Sequence, residues 1–161
     1  MNDNKSLNTR ILIIDDEEAV RENFRNFLQT PNDNQHRSLH DAAASLFGDT
    51  QDIQSDLNTN RCTFIIDEAE NGKRGFEMVK QAVNEGRPYA TVFCDMRMPI
   101  WDGVETIRHI RTVDTRVGII VITAYSDYDV ATIIRAAGAD VGYFVKPFSH
   151  DEVLQMATRS V

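Results

Sequence analysis

The chain has 161 residues, 42% hydrophobic and 26% charged, enough for one domain with a real core and too few for two large ones. A formal charge of −8 and a pI near 4.9 argue against non-specific nucleic-acid binding and against an anionic membrane surface, both of which need clustered Lys and Arg. No apolar run approaches the roughly 20 residues of a membrane span, and the polar start MNDNKSLNTR is not a signal peptide, so a cytoplasmic location is expected.

Five short apolar, β-branched runs recur along the chain. The first, Ile11–Ile14, ends in Asp15-Asp16 and is followed by Val20, Phe24, Phe27 and Leu28, an i, i+4, i+7, i+8 stripe that predicts a helix. Residues 31–61 then break the rhythm. They are rich in Asn, Asp, Gln and Ser and far longer than the usual αβ connection of about 2–6 residues, so they read as an insertion. Within it, Leu39, Ala42, Ala43, Leu46 and Phe47 have the spacing of a short amphipathic helix closed by Gly48, which would lie on the neighbouring surface or serve as a partner contact. His36 and His40, with Asp41 adjacent, have the spacing of a metal pair but read as solvated residues.

The second strand is expected at Thr63–Ile66. Its helix follows Asn71-Gly72, with Phe76, Val79, Ala82 and Val83 as the buried face. The third strand runs Ala90–Cys94 and stops at Asp95, and a helix marked by Val104, Ile107 and Ile110 opens after Asp102-Gly103. On that helix Arg108, His109 and Arg111 read as a solvated face. The fourth strand, Val117–Ile122, is followed by Thr123. The fourth helix is expected after a Ser126 cap with Asp129 three residues on, and Gly138 would end it. The fifth strand, Val141–Val145, leads to Lys146-Pro147. Ser149 and Glu152 then form a capping-box pattern ahead of Val153, Leu154 and Ala157. Cys62 and Cys94 both sit in strand-like runs without metal spacing and read as reduced core residues.

Strand and helix alternate five times, so the predicted fold is α/β, a doubly wound five-stranded parallel sheet with helices on both faces. In such a sheet all strand C-termini open onto one edge. That edge would collect Asp15, Asp16, Asp95, Thr123 and Lys146. Two unit charges about 4 Å apart repel by about 4 kcal/mol at an effective dielectric of 20. Three clustered carboxylates therefore call for a cation or a raised pKa, and hard oxygen donors with room for water suit Mg2+. A carboxylate nucleophile beside a divalent cation, a lysine and a hydroxyl fits phosphoryl transfer to Asp95. Taken singly each residue has an ordinary reading: a helix cap at Asp15-Asp16, a strand residue at Thr123, a strand exit at Lys146. Their joint occurrence at four strand ends points to a site.

The motifs IIDDEE (13–18), CDMRMPIWDG (94–103), VITAY (121–125) and GYFVKPF (142–148) resemble the receiver domain of two-component response regulators. The resemblance implies the flavodoxin-like strand order 2-1-3-4-5 and a single receiver domain over 10–161, with 1–9 as an N-terminal tail. It implies that Asp95 is the phosphoacceptor, with Asp15, Asp16, Asp95 and the backbone carbonyl of Arg97 holding Mg2+ and Mn2+ as a substitute. Asp16 and Asp95 would be direct ligands and Asp15 would act through water. Lys146 would pair with the phosphoryl group across a cis bond to Pro147, Thr123 would bond a phosphoryl oxygen, and Thr123 and Tyr143 would form the switch. The implied donor is a phosphohistidine on a sensor histidine kinase or a histidine phosphotransfer protein. The implied output is a changed surface on helix four, strand five and helix five, which could serve a homodimer.

The domain is expected to act as a regulatory phosphoacceptor, not an enzyme, although it would assist its own phosphorylation and dephosphorylation. Arg97 and Tyr125 occupy positions that vary in the family and affect hydrolysis, and an aromatic side chain at 125 would shield the acyl phosphate. Because the chain ends at Val161, near the end of helix five, it reads either as a stand-alone relay or as a receiver with an output domain beyond that point. A haloacid-dehalogenase-like phosphatase would want an acid where Arg97 stands, and no nucleotide-binding glycine motif is present.

Overall fold

The computed structural model describes residues 7–29, 63–124, 129–138 and 140–161. Its elements run β1 (Arg10–Ile14), α1 (Glu18–Gln29), β2 (Ile65–Ala69), α2 (Gly72–Asn84), β3 (Thr91–Asp95), α3 (Gly103–Val113), β4 (Gly118–Thr123), α4 (Val130–Ala137), β5 (Gly142–Val145) and α5 (His150–Ser160). The strands form one parallel sheet in the order β2-β1-β3-β4-β5. The predicted fold class and strand order are what the molecule adopts.

Alternation along each strand divides the core in two. Leu12, Ile14, Val92, Cys94, Ile119 and Val121 face Val79, Ala82, Ile107, Ile110 and Ile133 of α2, α3 and α4. Ile11, Ile13, Phe93, Ile120, Ile122 and Phe144 face Phe24, Leu28, Val153 and Ala157 of α1 and α5. Because β1 and β3 are covered on both sides, they read as continuous apolar runs. Phe24 anchors the second layer, fully buried between the rings of Phe93 and Phe148 at 5.1 and 4.8 Å.

Two boundaries differ from the sequence expectation by more than a single residue. The second strand is Ile65–Ala69, displaced toward the acidic Asp67 and Glu68. Hydrophobicity alone misplaced it because β2 is an edge strand whose acids are held by partners from elsewhere. Arg10 bonds Asp67 at 3.0 Å, Tyr89 donates its hydroxyl to Asp67 at 2.7 Å, and Arg25 meets Glu68 at 2.9 Å. The fourth helix is capped at Asp129, whose side chain makes no capping bond, and Gly138 ends it with a positive φ of 101°; the expected cap Ser126 lies outside the described residues. The capping box at Ser149 and Glu152 forms as read, with both reciprocal bonds present.

The solvated face assigned to α3 also needs correction. Arg108 is exposed, but Arg111 turns back to donate to the carbonyls of Ala137 at 2.9 Å and Val117 at 2.8 Å, tying α3 to the end of α4 and the start of β4. His109 lies flat on Trp101, with ring centroids 4.0 Å apart. Cys94 is fully buried; Cys62 and the residues 31–61, His36 and His40 among them, lie outside the described residues.

Candidate functional site

The C-terminal ends of β1, β3, β4 and β5 deliver Asp15, Asp95, Thr123 and Lys146 to one edge of the sheet. Parallel pairing sets their level. Ile14 lies opposite Cys94, Asp95 opposite Ile122, and Thr123 opposite Val145, so each functional residue leaves its strand within one residue of its neighbour's. Carboxylate oxygens of Asp15, Asp16 and Asp95 lie within 4.8 Å of one another. Asp15 is fully buried and Asp95 only 4% exposed, while Asp16 faces solvent.

Lys146 closes the cluster. Its ammonium stands 3.2 Å from Asp95 Oδ1 and 3.6 Å from Asp15 Oδ2. The Lys146–Pro147 bond is cis, and the Lys146 amide donates to the Thr123 carbonyl at 2.9 Å, so β4 fixes the backbone from which the lysine projects. Burial pushes the Asp15 carboxyl up to about 6, and nearby Asp95 adds to the rise, against a hydrogen bond from the Glu17 amide. Burial raises Asp95 as well, with Lys146 opposing it. Desolvation pulls the Lys146 ammonium down, but Asp15 and Asp95 outweigh it and the net shift is upward. These are the shifts expected of a carboxylate cluster short of positive charge.

The donor set fits a hard divalent cation. Asp15 Oδ2 is buried, lacks a hydrogen-bond partner, and meets the lysine only at ion-pair distance. Carboxylate oxygens from the three acids, one of them open to water, are donors suited to Mg2+ and Mn2+. Arg97 lies two residues past Asp95, exposed, in the loop that opens beside them.

Thr123 is 2% exposed and donates its hydroxyl to the Ala124 carbonyl at 2.9 Å. Tyr143 is half-buried against the layer shared by α2, α3 and α4. Tyr125 lies outside the described residues. Beside Asp95, the Cys94 thiol is buried and raised by that burial, so it offers no nucleophile.

Sequence reading missed the residues that hold the two loops. Arg21 donates to the Asp15 carbonyl at 2.7 Å and lies 3.4 Å from Glu68, so α1 and β2 together fix the turn bearing Asp15 and Asp16. Its place within the amphipathic period of α1 gave no sign of this. Gly103 is the second case. A Cβ there would stand 2.5 Å from Met96 Sδ and 2.7 Å from the Asp95 carbonyl, so only glycine lets α3 start this close to β3. The Asp102 side chain then caps that helix through the Glu105 amide at 2.8 Å.

Comparison with known proteins gives a consistent picture. The family model described as the response regulator receiver domain matches residues 49–158. The matched span begins after β1 and α1, yet β1 pairs with both β2 and β3 in the same sheet. The chain is 37% identical over 90 residues to the chemotaxis protein CheY of Halobacterium salinarum, covering 56% of this chain and 70% of that one. It is 34% identical over 85 residues to the transcriptional regulatory protein ZraR of Klebsiella oxytoca, covering 53% of this chain but 18% of ZraR; the chain thus matches under a fifth of the length of the ZraR proteins. Among solved structures, Vibrio cholerae CheY4 superposes with a TM-score of 0.62 at 18% identity, covering 96% of this chain and all of that one.

Proposed function

Because the chain belongs to the response regulator receiver domain family, we propose that it is the phospho-accepting element of a two-component phosphorelay, with Asp95 as the acceptor. The observation that carries this reading is the contact of Lys146 with both Asp95 and Asp15 inside a trio of carboxylates within 4.8 Å. Neither a core nor a helix cap requires such a concentration of like charge.

The donor is a phosphohistidine on a sensor histidine kinase or a histidine phosphotransfer protein. An Asp95 carboxylate oxygen attacks phosphorus, an O–P bond forms as the N–P bond breaks, and the imidazole leaves with the bond's electron pair. Asp15, Asp16, Asp95 and the Arg97 carbonyl would hold Mg2+, which when bound offsets charge on the transferring oxygens. Lys146 exchanges its contact with the Asp95 carboxylate for one with a phosphoryl oxygen. Thr123 turns its hydroxyl from the Ala124 carbonyl toward the same group, and Tyr143 fills the space that this movement leaves. The added charge, about −1.5 to −2 at neutral pH, thereby reaches α4, β5 and α5. That surface bears the exposed Val130, Ile134 and Val145, which suit a homodimer or an output partner.

Residues 10–161 act as one receiver domain, with 1–9 as its tail and 31–61 as an insertion. The domain regulates rather than turning over a substrate of its own, in the cytoplasm, and acts on a separate target or a covalently attached output domain. Among the described residues no helix is long and apolar enough to cross a membrane. The test is incubation with Mg2+ and acetyl phosphate followed by intact-mass measurement. One added phosphoryl group, absent in Asp95→Asn and without Mg2+, is expected; an adduct that persists in Asp95→Asn rejects the assignment.

A further inference from the structure

We propose that Trp101 and His109 are positioning residues that hold the loop between β3 and α3, and with it the Arg97 carbonyl, in the one conformation a divalent cation needs. The inference rests on the reading of Asp15, Asp16, Asp95 and Arg97 as a cation site.

Backbone bonds pin both ends of this loop. The Met96 amide donates to the Ile122 carbonyl, and the Gly103 amide to the Met96 carbonyl, each at 3.0 Å. Buried Met98 anchors the first half in the core. The second half carries strain. The Trp101 amide donates to the Pro99 carbonyl at 2.9 Å, closing a three-residue turn around Ile100, whose φ is +74°. A positive φ is costly for a β-branched residue, and this kind of turn is rare and strained. Ile100 recovers nothing by burial, since it is 80% exposed. Strain of this kind persists only where the surroundings over-determine it.

The ring cluster next to the turn supplies that constraint. Trp101 stacks on His109 of α3 with centroids 4.0 Å apart and planes 16° apart. Phe76 of α2 meets His109 at 5.5 Å and Trp101 at 6.0 Å, closing the third side. Gly72 leaves room for the arrangement, since a Cβ there would come within 3.2 Å of Trp101 Cβ and 1.9 Å of Thr106 Oγ1. The His109 ring is itself fixed: its Nδ1 donates to the Glu105 carbonyl at 2.9 Å. Two helices, α2 and α3, thus grip one ring of a strained loop four residues from Arg97. Outer residues of this kind orient ligands they do not touch.

The test compares Mg2+ affinity by titration calorimetry with amide hydrogen exchange over residues 97–103 of the metal-free protein. Trp101→Ala and His109→Ala are expected to weaken Mg2+ binding about tenfold and to speed exchange in the loop, while His109→Phe, which keeps a stacking ring, retains both. Circular dichroism and the melting temperature establish that each variant is folded, with Trp101→Phe as the milder replacement should Trp101→Ala fail. Unchanged affinity and exchange in the alanine variants would overturn the inference, as would a defect in His109→Phe equal to that of His109→Ala. If the unaltered protein binds no Mg2+, or binds it equally in Asp16→Asn, the cation-site reading fails instead, and the exchange data still decide whether the rings hold the loop.

Discussion

Lys146 reaches across from the end of β5 to place its ammonium 3.2 Å from the Asp95 carboxylate at the end of β3, with β4 lying between the two strands. The same ammonium is the charge nearest Asp15 Oδ2 that the structure pairs with it. The Lys146 ammonium therefore pairs with two buried carboxylates, and the balance of this site depends on it. Lys146→Met leaves both acids buried without that charge and is expected to destabilise the metal-free protein by about 1–3 kcal/mol at pH 7. In an Asp95→Asn background the same change is expected to cost less. Urea denaturation in the presence of a chelator measures both, and equal losses in the two backgrounds would remove the coupling.

Asp15 gives the site a pH dependence. Its native pKa, about 6, lies above the usual aspartate value of 3.8, so between those values the native state binds more protons than the unfolded state. Stability contributed by the protonated group is fully present below about pH 4 and is lost as pH rises toward 6. Asp95 is shifted in the same direction, whereas Glu152, held below its usual range by Ser149, acts with the opposite sign. The informative quantity is thus the difference between the unaltered protein and Asp15→Asn. Metal-free Asp15→Asn is expected to be about 1–3 kcal/mol more stable at pH 7, with the advantage shrinking by pH 4.5. Chemical denaturation at the two pH values tests this, and an advantage that grows toward acid would contradict it.

Arg21 holds the acidic loop from behind. Removing it frees the Asp15 carbonyl and leaves Glu68, among the described residues, paired with Arg25. Arg21→Ala is expected to weaken Mg2+ binding about tenfold or more. Arg21→Lys should recover little, because one ammonium does not span both the carbonyl and the carboxylate as a guanidinium does. Calorimetric titration decides, and full binding by Arg21→Lys would reject the two-ended role.

Gly103→Ala tests how tightly α3 abuts the end of β3. The added methyl would meet Met96 Sδ at 2.5 Å and the Asp95 carbonyl at 2.7 Å. Because the second contact is backbone, relief requires moving either the helix or Asp95. A loss of about 2 kcal/mol or more is expected, together with slower phosphorylation. A variant as stable as the parent would mean that the close approach is not required.

The fold and the cluster of site residues were legible for the same reason. Alternating strands and helices dictate a parallel sheet, and a parallel sheet gathers Asp15, Asp95, Thr123 and Lys146 at one edge whatever the loops do. Local chemistry was equally readable, as at Ser149 and Glu152, where the capping box needs only its own four residues. What escaped were features set by tertiary partners. β2 extends through Asp67 and Glu68 because Arg10, Tyr89, Arg21 and Arg25 come to meet them. Arg111 reads as one more charge on an amphipathic helix until the carbonyls of Ala137 and Val117 are placed beside it. The His109–Trp101 stack depends on the path of a loop that no periodicity encodes.

Phosphoryl transfer to Asp95 is tested most directly by chemical trapping. After incubation with Mg2+ and acetyl phosphate, borohydride reduces an aspartyl phosphate to homoserine, and peptide mass spectrometry reads the position. Homoserine at residue 95 alone is expected, with none when Mg2+ is withheld. Homoserine at Asp15, Asp16 or elsewhere, or none in protein whose intact mass has risen by a phosphoryl group, would contradict it.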